Sequence, residues 1–316
     1  MKNLAILIGI ADYKHINKLS PCDRDIGLIS SILDISEKYQ EVLLLNNSPF
    51  GATAKDQIAE FIRQNQEFDI NEIFIYYTGH GTRVKDDFLY LFADFDEQKL
   101  EQTSLRNSEF DAMLKSLKPK LTVKVIDACQ AGTEYIKSNQ ELQMIFDKSS
   151  KESFNKAYFL FSSSSSESSI ALQDFSVFTK SFAKSLLGFE NQNVRYRDIM
   201  AYISDDNTVK KHQTPLFIQQ ADNTEVFISV SEKITEFLAS QFEIENEQEE
   251  SKYIDDGDLV SSVGENLFLS ALVKKVRNKG EDFCSEEEAI ESITHLKTFL
   301  SNYEWSDDIA NHLFDI

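Results

Sequence analysis

Residues 73–81, IFIYYTGHG, and residues 121–132, LTVKVIDACQAG, are the most telling part of this chain. In each, an apolar run of strand length ends in small residues around one reactive side chain, His80 in the first and Cys129 in the second. Such a run suits a parallel strand buried on both faces. In open α/β sheets, ligands bind beyond the carboxyl ends of the strands. An imidazole and a thiol at two such ends, 49 residues apart, therefore point to one shared site.

Outward from these two segments, strand and helix patterns alternate. Leu4–Ile10, Val42–Leu45, Ala157–Ser162 and Leu216–Gln219 read as further strands. Asp25–Ile35, Ser108–Leu117, Phe175–Leu187 and Tyr196–Ser204 read as helices. Thr53–Gln64 is expected to be a helix capped by Thr53, with Ile58, Ala59 and Ile62 inward. This alternation predicts βαβ crossovers and an α/β fold with a mostly parallel sheet flanked by helices. Ser162–Ser169 (SSSSSESS) follows a strand and is expected to line the site, with Ser163 a candidate substrate-binding residue.

A thiol is a strong nucleophile only as thiolate, and a nearby imidazole favours that state or accepts the proton. His80 and Cys129 are therefore the candidate catalytic pair. A tetrahedral oxyanion needs fixed N–H donors, and the backbone N–H groups of Gly81 and Cys129 are the candidates, on the expectation that both lie at turns leaving a strand. Cys22 and Cys284, and His15, His212, His295 and His312, have no comparable setting.

Composition narrows the function classes. The 316 residues include 32 Lys+Arg and 53 Asp+Glu, a formal net charge of −21. That balance argues against nucleic-acid binding, which needs a basic face, and against anionic membrane surfaces. It suits a basic partner or substrate. The three cysteines are far apart, which excludes a disulfide framework and a CxxC metal site and fits a reducing, cytoplasmic setting. The apolar run Leu4–Ala11 ends in Asp12 without a small-residue cleavage site, so a buried strand is expected there rather than a signal peptide. No GxGxxG follows the first strand and no GxxxxGK[ST] occurs, which argues against a nucleotide-binding domain.

With both motifs in hand, the sequence resembles the caspase-like cysteine peptidases, the clan of caspases, metacaspases and their bacterial relatives. The likeness covers about residues 1–230 and includes LAILIGIADY, CDRDIGLISSIL, FIYYTGHG, VKVIDACQAG, FLFSSSSSESS, SVFTKSFAKSL and HQTPLFI. The resemblance implies a caspase-hemoglobinase fold with a six-stranded central sheet. It implies peptide-bond hydrolysis with Cys129 as nucleophile and His80 as general base and acid. It also bears on specificity. Asp127 stands two residues before the nucleophile, where caspases carry Gln, and Asp25, in CDRDI of the loop after the first strand, is a second acid. This pairing is similar to that of metacaspases, which cut after Arg or Lys; two recessed carboxylates favour a cation. The competing structural role is Asp127 orienting a turn and Asp25 capping a helix. Many metacaspases need calcium. Asp86, Asp87, Asp94, Asp96 and Glu97 are oxygen donors here, but LRNSEF replaces the paired Asp run, so no metal, no cofactor and no strict calcium requirement are expected. The connection 133–156 is where such zymogens are cut, and it holds Lys137, Lys148, Lys151 and Lys156.

Residues 231–316 fall outside this likeness and carry 21 acidic and 7 basic side chains. They read as an acidic, mostly helical extension that regulates, binds a protein partner or solubilises, with Glu243–Asp258 a linker or solvated helix. Bacterial relatives often join such modules to the protease in defence or cell-death systems. Two functions follow for the whole chain: an endopeptidase acting on protein or peptide substrates, or a catalytically idle caspase-fold scaffold working through the extension.

Overall fold

The computed structural model describes residues 1–84, 87–130, 154–162 and 175–252. Residues 1–245 form one compact unit. Among the described residues the strands are β1 (Lys2–Gly9), β2 (Glu41–Leu45), β3 (Ile70–Val84), β4 (Asp87–Leu91), β5 (Ser104–Arg106), β6 (Leu121–Gln130), β7 (Ala157–Phe161), β8 (Asn193–Arg195), β9 (Leu216–Gln220) and β10 (Val226–Ser229). The helices are α1 (Pro21–Ser36), α2 (Gly51–Asn65), α3 (Leu100–Thr103), α4 (Asn107–Ser116), α5 (Val177–Lys184), α6 (Tyr196–Asp205), α7 (Asn207–His212) and α8 (Glu232–Lys252).

Six strands form one path in the order β2-β1-β3-β6-β7-β9. The pairs along it are parallel from β2 to β7, and β9 closes the edge antiparallel to β7. β4 folds back antiparallel on the far end of β3, and β5 pairs with β4, so the sheet counts eight strands. β8 and β10 form a separate antiparallel pair. The fold is the mostly parallel, helix-flanked α/β arrangement expected from the sequence. The short strands β4, β5, β8 and β10 are not legible there.

The period-2 alternation of β3 divides its apolar residues between two cores. Ile73, Ile75 and Tyr77 pack with Ile58 and Ile62 of α2 and with Phe110 and Leu114 of α4. Phe74 and Tyr76 pack on the other face with Ile26 and Ile29 of α1, Phe178 and Phe182 of α5 and Ile199 of α6. Ile234, Leu238 and Phe242 join this second core, so the first part of α8 packs with the sheet's own unit rather than beyond it. Among the described residues no helix is long and apolar enough to cross a membrane.

Two details differ from the sequence reading. α2 begins at Gly51, not after Thr53; Asp94 Oδ1 accepts the Gly51 N–H at 2.8 Å, so a distant carboxylate satisfies this helix end. Within α2, Ala59 is exposed, and Ala54 and Phe61 are the buried companions of Ile58 and Ile62.

β6 carries a charge in its interior. Lys124 is fully buried; its Nζ donates to Asn107 Oδ1 at 2.7 Å and to the Asp111 carboxylate. The rings of Phe110 and Phe159 flank it, each centroid 5.4 Å from Nζ. Burial holds the Lys124 ammonium below its ordinary range. Asp111→Ala should destabilise the fold by about 3–5 kcal/mol, since it leaves a buried cation uncompensated. Lys124→Met combined with Asp111→Leu should recover much of that loss, because both charges go together. Denaturant unfolding of the three proteins checks this; equal midpoints for wild type and Asp111→Ala would refute it.

Candidate active site

The parallel register of β3 and β6 pairs Thr78 with Asp127, Gly79 with Ala128, His80 with Cys129 and Gly81 with Gln130. Adjacent strands lie about 4.8 Å apart. The two residues singled out from 49 positions apart in sequence thus occupy neighbouring backbone positions at the carboxyl ends of central strands, where an α/β sheet offers its ligand site.

His80 is 5% exposed and held at several points. Its Nε2 lies 2.8 Å from the carbonyl oxygen of Asn17. A carbonyl only accepts, so this contact needs the proton on Nε2 and leaves the lone pair on Nδ1. The His80 backbone N–H donates to the Tyr13 hydroxyl at 2.7 Å, and the Tyr13 ring packs on the imidazole with centroids 4.8 Å apart. Burial pushes the Tyr13 phenol well above its ordinary range, so this hydroxyl stays neutral. Tyr77 donates its hydroxyl to the His80 carbonyl oxygen and accepts the Leu91 N–H at 3.1 Å.

The glycines on either side answer to these aromatic neighbours. A Cβ at Gly79 would meet the Tyr13 and Tyr77 hydroxyl oxygens at 2.7 and 2.8 Å. A Cβ at Gly81 would meet Phe88 Cζ at 2.2 Å. The expectation that Gly81 and Cys129 sit at turns leaving a strand is corrected: β3 continues to Val84 and β6 to Gln130, and Gly81 is paired with both Gln130 and Tyr90. The β4 hairpin extends the ladder past the motif, and close packing accounts for the glycine.

Asp25 and Asp127 are both deeply buried on the α1 side. Asp25 lies inside α1 rather than in the preceding loop, and it caps no helix start, since α1 begins at Pro21. It accepts the Ser176 N–H at 2.9 Å and the Thr78 hydroxyl at 3.3 Å. Burial and then the nearby Asp127 charge push its carboxyl well above the usual range. Asp127 accepts hydroxyls from Ser162 at 2.7 Å, Thr179 at 2.6 Å and Ser176, and the Thr179 N–H at 3.2 Å. Among the described residues neither acid has an ion-pair partner. The two buried acids thus lie near one another and are held by neutral donors alone among the described residues.

Ser162 begins the serine run expected to line the site, and its hydroxyl does meet Asp127; Thr78, Ser176, Thr179, Tyr13 and Asn17 are not singled out by the sequence. Only Thr78 leaves a signal, because it precedes His80 by the same two positions that separate Asp127 from Cys129. Ser163 lies outside the described residues, as do Asp86, Lys137, Lys148 and Lys151. Lys156 is bound to Asp222 at 2.5 Å and Glu225 at 2.8 Å. Of the calcium-type donors, Asp87 holds Ser108, Asp94 holds the start of α2, Asp96 accepts the Gln98 N–H at 2.9 Å, and Glu97 is exposed. Among the described residues no three His, Cys, Asp or Glu converge on a point that would hold a metal ion.

The family model described as the caspase domain, Peptidase_C14, matches residues 2–228. A search of curated proteins gives no match. Among solved structures, protein GSU0716 from Geobacter sulfurreducens is similar with a TM-score of 0.50 at 15% identity, over 73% of this chain and 100% of that one. The Drosophila initiator caspase Dronc is similar with a TM-score of 0.47 at 10% identity, over 71% of this chain and 81% of that one. The first of these likenesses bears on fold alone.

Proposed function

The chain belongs to the caspase-domain family, and from that premise we propose that it is a cysteine endopeptidase that cuts protein or peptide substrates after Arg or Lys. The observation that carries this reading is the register of β3 on β6, which sets His80 beside Cys129 at the carboxyl rim. The Cys129 thiol gives its proton to His80 Nδ1 and the sulfur attacks the scissile carbonyl. The backbone N–H groups of Gly81 and Cys129 are the donors proposed for the oxyanion. As the C–N bond breaks, His80 returns the proton to the leaving amine, and a thioester remains on Cys129. His80 then takes a proton from water, whose oxygen displaces the sulfur and frees the new carboxyl group, and the proton passes from His80 back to the Cys129 sulfur. Asn17 keeps Nε2 protonated throughout, and Tyr13 fixes the backbone of the base. These two are positioning groups. A cytoplasmic setting and a role in a bacterial defence or cell-death system accompany this reading, with residues 231–316 as its regulatory module.

Asp25 and Asp127 supply the specificity: both are buried, close enough to raise the Asp25 carboxyl, and without a basic partner among the described residues. Since the caspase-domain family includes inactive members, the competing reading is a scaffold that keeps the fold and acts through its acidic extension. A peptide library profiled with the full chain, beside an Arg-chloromethylketone probe, separates the two. The endopeptidase cleaves after Arg or Lys and is alkylated at Cys129; cleavage at no peptide and no alkylation would leave the scaffold.

A further inference from the structure

One neutral residue stands between the two acids. Ser176 donates its backbone N–H to Asp25 at 2.9 Å and its hydroxyl to Asp127. The same hydroxyl accepts the Thr179 N–H at 3.3 Å and so caps α5. Thr179 adds two more donors to Asp127, and its hydroxyl also meets Tyr76 at 2.6 Å. The first turn of α5 is therefore fastened to the acids through Ser176 and Thr179, and these donors occupy the oxygen atoms that a basic side chain would use. Neutral donors bring no positive charge to the acids, whereas a guanidinium brings several donors and a full charge.

The geometry points to Ser176 as a latch on the acidic pair: an entering cationic side chain replaces it, and its release loosens the start of α5. This rests on the basic-pocket reading and adds to it the residue that tunes the pocket and the element that responds. Asp127 is two residues from Cys129 and Thr78 two residues from His80, so the latch adjoins both strand ends of the dyad. Occupation of the pocket is thereby coupled to the start of α5. An Arg side chain, with its planar fork, replaces both Ser176 contacts at once, and a Lys ammonium replaces them less completely.

Amide hydrogen exchange on the full wild-type chain tests this without a substitution. After alkylation of Cys129 by an Arg-chloromethylketone peptide, the Ser176 and Thr179 amides should exchange at least about tenfold faster, since the acids that protect them are taken. Unchanged or slower exchange in the alkylated protein would overturn the latch. Kinetics give a second measure. Ser176→Ala should lower KM for an Arg peptide about three- to tenfold with kcat held, because one competing hydrogen bond is gone. Ser176→Thr keeps the hydroxyl and should resemble wild type. A lower melting temperature with KM unchanged or raised in Ser176→Ala would mean that the residue only caps α5, and the latch falls. Absent alkylation, or an Asp127→Asn variant that cuts Arg peptides as well as wild type does, is a different result: the basic pocket itself then fails.

Discussion

Replacing Cys129 by Ala should lower cleavage of an Arg peptide roughly 10⁴-fold or more, with the fold intact. The nucleophile of a covalent mechanism has no substitute, and single removals from such a site cost nearly as much as removing the whole constellation. His80→Ala should cost a similar factor, because its partner then lacks a base and the leaving amine lacks an acid. The two losses should not add in the double variant, since they disable one unit. Alkylation by iodoacetamide distinguishes the roles. In wild type near neutral pH, Cys129 should react faster than an ordinary exposed thiol; in His80→Ala it should react more slowly, as the imidazole no longer takes its proton. Cys22 is an internal control, because it is buried in α1. Activity that survives in Cys129→Ala would show that this sulfur attacks nothing, and the family's chemistry would then be absent from this chain.

The parts of the fold legible in the sequence are those with strong period or strong burial. β1, β3 and β6 are long apolar runs, and their place at the centre of the sheet follows from having two faces to cover. The strands that escape such a reading are three to five residues long or formed by non-local pairing, and a short polar-flanked segment such as Asn193–Arg195 carries no period to detect. Helix ends are hidden where the partner is distant: Thr53 looks like a cap, but Asp94 holds the start of α2 from 43 residues away. The site follows the same division. His80 and Cys129 stand out because each follows a buried strand. Asn17, Tyr13 and Ser176 act through contacts 63, 67 and 49 or more residues away in sequence, and no spacing rule marks them. Lys124 is equally illegible within an apolar strand, since its partners Asn107 and Asp111 belong to a helix that only the crossover brings alongside.

Asp127→Asn should lower kcat/KM for Arg and Lys peptides about 10²-fold or more, while a peptide with a neutral side chain at the same position should lose far less. Removing one partner of a buried, hydrogen-bonded charge pair costs about 2–5 kcal/mol in recognition. The substituted amide retains an oxygen to accept from Ser162 or Thr179, so the change acts on charge more than on packing. Asp25→Asn should show the same selectivity with an added mark on stability. Burial and Asp127 raise the Asp25 carboxyl well above its ordinary range in the folded protein. A carboxyl raised in this way contributes stability that is full below the unfolded pKa, near 3.8, and is lost as pH rises through the folded value. At neutral pH the burial of Asp25 therefore costs the native chain stability that a neutral amide does not cost, and Asp25→Asn relieves it. Its melting temperature should equal or exceed that of wild type at pH 7, with the difference shrinking as the pH is lowered. In wild type the KM for an Arg peptide should rise as pH falls, beginning above the range in which an exposed Asp titrates, because a protonated Asp25 no longer attracts the cation. Thermal melts and KM profiles of the two proteins across pH measure both effects. An Asp25→Asn chain that is less stable yet binds Arg peptides normally would assign this acid to holding α5 alone. The opposite outcome, greater stability with lost recognition, is what a binding site gives when it retains charge at the expense of the fold.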